Sequence, residues 1–217
     1  MDSYLDDTCH RSAAAYPSLF AQQTAPASFS FQACGGAVTT DVPATQLAPL
    51  SPTTTLVSLT VGGNDVDFKD VMRSCQFGGD NTCVGAVDTA EQTARTQLPA
   101  RLDAVYSAVR ERASGARVVV TGYPRFFNPA SPSLCAGMGA TKRAALNRGA
   151  DTLNSVIEGE VAKCAGFVYQ DVATLFAGHE LCDAAPFLNG LILNSGSYHP
   201  NAAGQANGYL PALRADL

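Results

Sequence analysis

The chain is poor in charge: Asp, Glu, Lys and Arg make up 15% of 217 residues, and the net charge is -5. Its few Lys and Arg are scattered, which argues against a nucleic-acid groove or an anchor on anionic membranes. No apolar run approaches the ~18 residues that a spanning helix needs. No signal peptide is visible, because Asp2, Asp6 and Asp7 stand where an apolar stretch would lie. No two cysteines form a C-x-x-C pair, which disfavours a zinc ribbon or a dithiol redox motif. A G-x-S-x-G elbow is missing, which disfavours an ordinary α/β-hydrolase. So are G-x-x-x-x-G-K-[ST] and G-x-G-x-x-G, which disfavours enzymes that cradle nucleotide phosphates. There is no internal repeat, low-complexity tract or linker, so residues 1–217 read as one domain with room for a full core.

Seven cysteines are present, and they are informative. "CQFGGDNTC" places Cys75 and Cys83 on either side of a Gly-Gly-Asp-Asn turn, a natural small disulfide loop. Cys9 and Cys34 flank the first expected helix and strand, and Cys135 and Cys182 lie in two late loops within reach of each other. That leaves Cys164 over, on an expected helix, as a small buried hydrophobe. Placement in polar loops favours oxidation and export over seven reduced core thiols in a cytoplasmic protein. An exported protein should carry a leader, so the chain start reads as processed, engineered or truncated.

Four segments have the apolar, β-branched composition of buried strands ending in turn signals: "SFSFQACGG", "TTLVSLTVGGND", "ARVVVTGYPR" and "GFVYQDV". Helical spacing appears between them. Leu98, Leu102, Val105 and Val109 share a face of residues 88–112, with Pro99 marking a break or a fresh first turn. Leu146, Ala150, Leu153, Ile157 and Val161 share a face of 141–163, and short helices are expected at 13–22 and 202–213. Strands alternating with helices predict an α/β fold, a parallel sheet sandwiched between helical layers.

Chemistry in such a sheet collects at the carboxyl ends of its strands. "GGND" ends one of them, and there Asn64 offers a side-chain amide able to stabilise an oxyanion. By itself the tetrapeptide reads as plain turn chemistry. "CGGA" ends another, and the N–H of Gly36 can face a cleft because no side chain intervenes. "SYHPNAAGQ" presents His199 from a loop, since Pro200 discourages helix at the residue before it. The only other histidines are His10 and His179. A glycine, an asparagine and a histidine in this order in one α/β chain lift His199 above an ordinary surface imidazole.

That combination resembles the SGNH hydrolases, also called the GDSL esterase/lipase family, and especially their secreted actinobacterial members. The resemblance runs from Thr8 to the C-terminus through "CHRSAAAYPSLFA", "FSFQACGGAVTTDV", "LVSLTVGGNDVDF", "LPARLDAVY", "VVVTGYPRFF", "FAGHELC" and "SYHPNAAGQANGYLP". It implies a three-layer α/β/α sandwich with a flavodoxin-like sheet. It implies a serine ester hydrolase that needs no metal or organic cofactor and acts as a monomer on a small-molecule or lipid ester. Gly36 and Asn64 match the family's oxyanion donors, and His199 matches its base. The disulfides it implies are Cys9–Cys34, Cys75–Cys83 and Cys135–Cys182.

Two departures stand out. The family commonly places aspartate three residues before its histidine, whereas position 196 is glycine. The imidazole still needs its Nδ1–H held. The Ser197 carbonyl is the expected partner, and Asp183 a side-chain alternative. The second departure concerns the nucleophile. Only "MDSY" echoes the family's G-D-S-x-S-x-G, which makes Ser3 the candidate serine. A nucleophile at a strand end needs that strand before it, and Met1-Asp2 cannot supply one. Spacing to Cys9 fits the end of the family's loop as well as its beginning. The expectation is therefore a chain lacking the family's first strand, which would lie centrally in the sheet, or a shortened enzyme that uses Ser3. The alternative to an enzyme is an inactive fragment or binding module retaining the scaffold.

Overall fold

The computed structural model describes residues 4–6, 8–130, 135–192, 196–215 and 217, with side chains from residue 8 onward. Its centre is a parallel sheet of three strands, β3 (Leu56–Leu59), β4 (Arg117–Thr121) and β5 (Phe167–Gln170), in the order β3-β4-β5. Leu56 pairs with Arg117, and Val118 with Phe167, so the three strands run in register toward one end. Ahead of them, β1 (Tyr4–Asp6) and β2 (Arg11–Ser12) form a separate antiparallel ribbon.

Alternation along the strands builds the layers. Val118 and Val120 turn to one face with Val57 and Leu59, against the apolar sides of α4 (Leu98–Arg112) and α5 (Ala140–Val161). Leu98, Leu102, Val105 and Val109 recur at helical spacing and are sealed from solvent, each worth about 1.5–3 kcal/mol of burial. Ser58, Thr60 and Thr121 turn to the opposite face, where the Thr60 and Thr121 hydroxyls bond to each other. Tyr16 opens α1 (Tyr16–Thr24), whose first turn contains Pro17, and its ring stacks on Tyr209. After β5 comes the single turn α6 (Ala173–Phe176), and the closing helical segment is α7 (Ala202–Gly204), a π-turn over Gln205–Tyr209, and α8 (Leu210–Arg214), which packs on β4. With helices on both faces, the architecture is the expected α/β sandwich with a parallel sheet.

Several local expectations are corrected. "SFSFQAC" is not a strand: residues 28–34 form no ladder, and Phe29 is half exposed. A strand exists only by pairing, and among the described residues nothing pairs with this segment or with the outer edge of β3. The broad helix over 88–112 is two helices, α3 (Asp80–Thr96) and α4, divided at Gln97 two residues before Pro99. An unpredicted helix, α2 (Phe68–Phe77), buries Val71, Met72 and Cys75. The "CQFGGDNTC" stretch is accordingly not a surface loop. Cys75 lies in the last turn of α2 and Cys83 in the first turn of α3, and both are wholly buried. Cys164 lies in the turn after α5, half-buried and unpaired. The three disulfides are Cys9–Cys34, Cys75–Cys83 and Cys135–Cys182.

Candidate active site

His199 stands on a loop tied down on both sides. The Asn189 N–H donates to its carbonyl at 2.9 Å, and the Asn201 N–H donates to Phe187 O at 2.9 Å. Asn201 also caps α7, accepting from the Gly204 N–H. Just before the histidine, Tyr198 takes a left-handed conformation (φ 64°) and is buried, with its hydroxyl donating to Gln76 Oε1 on α2. His199 Nδ1 lies 2.9 Å from the Ser197 carbonyl oxygen. A carbonyl can only accept, so Nδ1 carries the proton and the neutral ring presents Nε2 as an acceptor. Asp183 is engaged elsewhere: its carboxylate accepts from Asn128 Nδ2 and from the Glu180 N–H. The exposed imidazole meets the edge of Phe68, at 6.4 Å between centroids and 89° between planes.

Phe68 leads to the second element. Its N–H donates to Gly63 O, closing the turn that carries Asn64. Gly63 is crowded: an added Cβ would lie 3.1 Å from the Tyr123 hydroxyl, which accepts the Gly63 N–H at 3.0 Å. Burial pushes that hydroxyl's pKa up to about 12. Tyr123 is itself fixed by Asn154, which accepts from its N–H and donates to its carbonyl, each at 2.8 Å. Just past the end of β3, then, a half-buried tyrosine and a buried asparagine hold the backbone of "GGND".

Asn64 Nδ2 donates to Ala37 O at 3.0 Å, which spends one amide hydrogen and leaves the other for a ligand. Ala37 follows Gly36, the third element. Gly36 has φ +82°, a left-handed conformation that favours glycine, although a Cβ there would touch nothing within 4 Å. Among the described residues its N–H has no hydrogen-bond partner. Gly36 thus precedes Ala37, whose carbonyl holds the Asn64 amide, and the turn that carries Asn64 leads through Phe68 to the His199 ring. Ser3 lies outside the described residues.

A polar pocket of about 480 Å³ opens beside Asn64, lined also by Thr40, Asp67, Gln97 and Arg101. Exposed Leu191 and Ile192 border the histidine loop, where Ser197 Oγ bonds to both backbone groups of Ile192. Among the described residues no three His, Cys, Asp or Glu side chains gather as a metal ion would require. Nor is any helix there long and apolar enough to cross a membrane.

Sequence reasoning passed over Phe68, Tyr198, Tyr123, Asp65 and Thr39. Phe68 had a usable signal, since Phe68, Val71, Met72 and Cys75 keep helical spacing. The other four have none, because their roles arise from contacts between segments far apart in the chain.

A parallel sheet between helical layers, with an amide just past the end of β3, an imidazole on a loop and, among the described residues, a glycine N–H without a partner, brings together groups that ester hydrolysis calls for. Comparison makes the assignment specific: residues 2–206 match the model of the GDSL-like lipase/acylhydrolase family, and the chain belongs to that family. It is by that membership an ester hydrolase. It is 46% identical over 215 residues to Lipase 1 of Streptomyces coelicolor, covering 97% of this chain and 79% of that one. Its fold superposes on phospholipase A1 from Streptomyces albidoflavus with a TM-score of 0.93, at 46% identity and with 97% and 89% of the two chains covered. The extracellular lipase of Streptomyces rimosus matches at 0.93 and 45% identity, with 97% and 90% covered.

Proposed function

We propose that the chain hydrolyses lipid carboxylic esters through an acyl-enzyme, with His199 as general base. In the first half-reaction a serine Oγ forms a bond to the ester carbonyl carbon and passes its proton to His199 Nε2. The oxyanion is met by the Gly36 N–H, the free Asn64 Nδ2 hydrogen and the serine's own N–H. The intermediate collapses, the C–O bond to the alcohol breaks, and the imidazolium returns its proton to the leaving oxygen. Water then attacks the acyl-enzyme with the same groups in the same roles. Ser3 is the sequence candidate for the nucleophile.

One observation carries this reading: the Nδ1 contact with Ser197 O, which in the neutral ring keeps the proton on Nδ1 and leaves Nε2 to take one. In place of a carboxylate, a backbone carbonyl fixes the tautomer. The names of the relatives, lipase and phospholipase A1, favour a lipid ester. So do Leu191, Ile192 and Phe68, which give the His199 side of the site an apolar border for an acyl chain. Three disulfides and an extracellular relative favour secretion.

The test is reaction with a fluorophosphonate, read beside turnover of a short-chain nitrophenyl ester, with the adduct mapped by peptide mass spectrometry. An adduct on Ser3 with parallel loss of turnover identifies the nucleophile, and His199→Ala is expected to slow labelling by at least about a hundredfold. Neither adduct nor turnover would refute the proposal and leave a scaffold without a nucleophile.

A further inference from the structure

Two oxyanion donors act together only if the segments that carry them keep a fixed separation. Gly36 and Asn64 sit on different loops, and no strand pairing joins the two among the described residues. The join is made by side chains. Thr39, three residues after Gly36, donates its N–H to Asp65 Oδ2 at 2.9 Å and its hydroxyl to Asp65 Oδ1 at 2.5 Å. Asp65 is the residue after Asn64, and its side chain is 1% exposed. Arg101 Nη1 approaches the same Oδ1 at 3.3 Å from α4, while Arg101 Nη2 donates to Gln97.

This carboxylate does something specific. A buried carboxylate is costly unless its oxygens are satisfied, and here two of its three donors come from one residue of the opposite loop. Sliding the loops apart would strip it of both at once. The Asn64–Ala37 bond alone, on an exposed side chain, cannot impose that stiffness. We propose that Asp65 and Thr39 form a positioning pair that sets the separation of the Gly36 and Asn64 oxyanion donors. The inference rests on the function proposed above, but the pair's mechanical role can be measured without turnover.

Thr39→Val removes the hydroxyl bond while keeping the side-chain shape, and Thr39→Ser restores it. Amide hydrogen exchange in the full chain is the first readout. In Thr39→Val, the hydrogen-bonded amides of Ala37, Val38, Thr39 and Asp41 are expected to exchange about tenfold faster while those of Val118–Val120 in β4 stay as they were; Thr39→Ser should return them to the starting rate. In parallel, kcat on the nitrophenyl ester is expected to fall about tenfold in Thr39→Val with KM within about twofold, and to recover in Thr39→Ser. Unchanged exchange at those four amides would overturn the proposal, and so would a rise shared equally by β4, which reports global destabilisation. A loosened loop with undiminished kcat would overturn it as well. A chain with no turnover at all would count against the acyl-transfer reading instead, and the exchange comparison would then decide the pair by itself.

Discussion

Replacing Asn64 by alanine separates chemistry from stability in a way the structure makes quantitative. The side chain is exposed, and its amide makes one hydrogen bond among the described residues, to Ala37 O. Losing one such neutral bond costs about 0.5–1.5 kcal/mol of stability. For a domain of this size that is a fall in Tm of about 2–5 °C. If the second Nδ2 hydrogen meets the oxyanion, its removal raises the barrier by about 2.7–4 kcal/mol, a drop in kcat of a hundredfold or more. The two effects differ so widely that they cannot be confused. Kcat and KM would be taken from initial rates on a short-chain nitrophenyl ester, and Tm from the same preparations by calorimetry. Kcat within threefold of the unaltered chain would remove Asn64 from the mechanism. A Tm loss of 15 °C or more would show that the residue acts through the fold, contrary to its exposure.

Other outcomes follow from the same contacts. Cys135–Cys182 closes 47 residues and Cys75–Cys83 only 8, so chain entropy assigns the first about 4 kcal/mol and the second about 2.5. Paired serine substitutions should lower Tm more at 135/182 than at 75/83, and calorimetry showing the reverse order would refute the entropic ranking. Glu180 is buried, and burial, reinforced by neighbouring Asp183, raises its carboxyl pKa. A raised carboxyl pKa means the folded chain binds the proton more tightly than the unfolded one. The resulting stability is fully present below the ordinary carboxylate range near pH 4 and is lost as pH climbs through the raised value. Glu180→Gln should flatten the decline in Tm from pH 4 upward, and a Tm profile parallel to that of the unaltered chain would contradict the assignment.

Much of the scaffold is legible in the residues. Continuous runs such as "RVVVT" and "FVYQ" pair in a parallel sheet because both of their faces are apolar enough to be covered. The recurrence of Leu98, Leu102, Val105 and Val109 names the buried side of α4 without reference to any partner. Local composition fails where pairing decides. "SFSFQAC" has every residue a strand wants, yet residues 28–34 belong to no ladder, because strand formation is a property of two segments. The helix at 68–77 has its signal in Phe68, Val71, Met72 and Cys75, a short apolar stripe between the turn residues Gly63 and Gly78-Gly79.

Residue types alone marked a glycine, an asparagine and a histidine ahead of a proline; of these only the asparagine follows a strand, and the glycine and the histidine stand on loops. Their family pattern pointed to an ester hydrolase before any contact was seen. Only the tertiary structure decided how those groups are held. It placed the Ser197 carbonyl on His199 Nδ1, turned Asp183 to Asn128 and Glu180, and closed Asp65 onto Thr39 across 26 residues. Hydrogen bonds depend on distances of a few tenths of an ångström between segments remote in the chain. Spacing along a sequence carries residue type and local period, but it does not carry those distances.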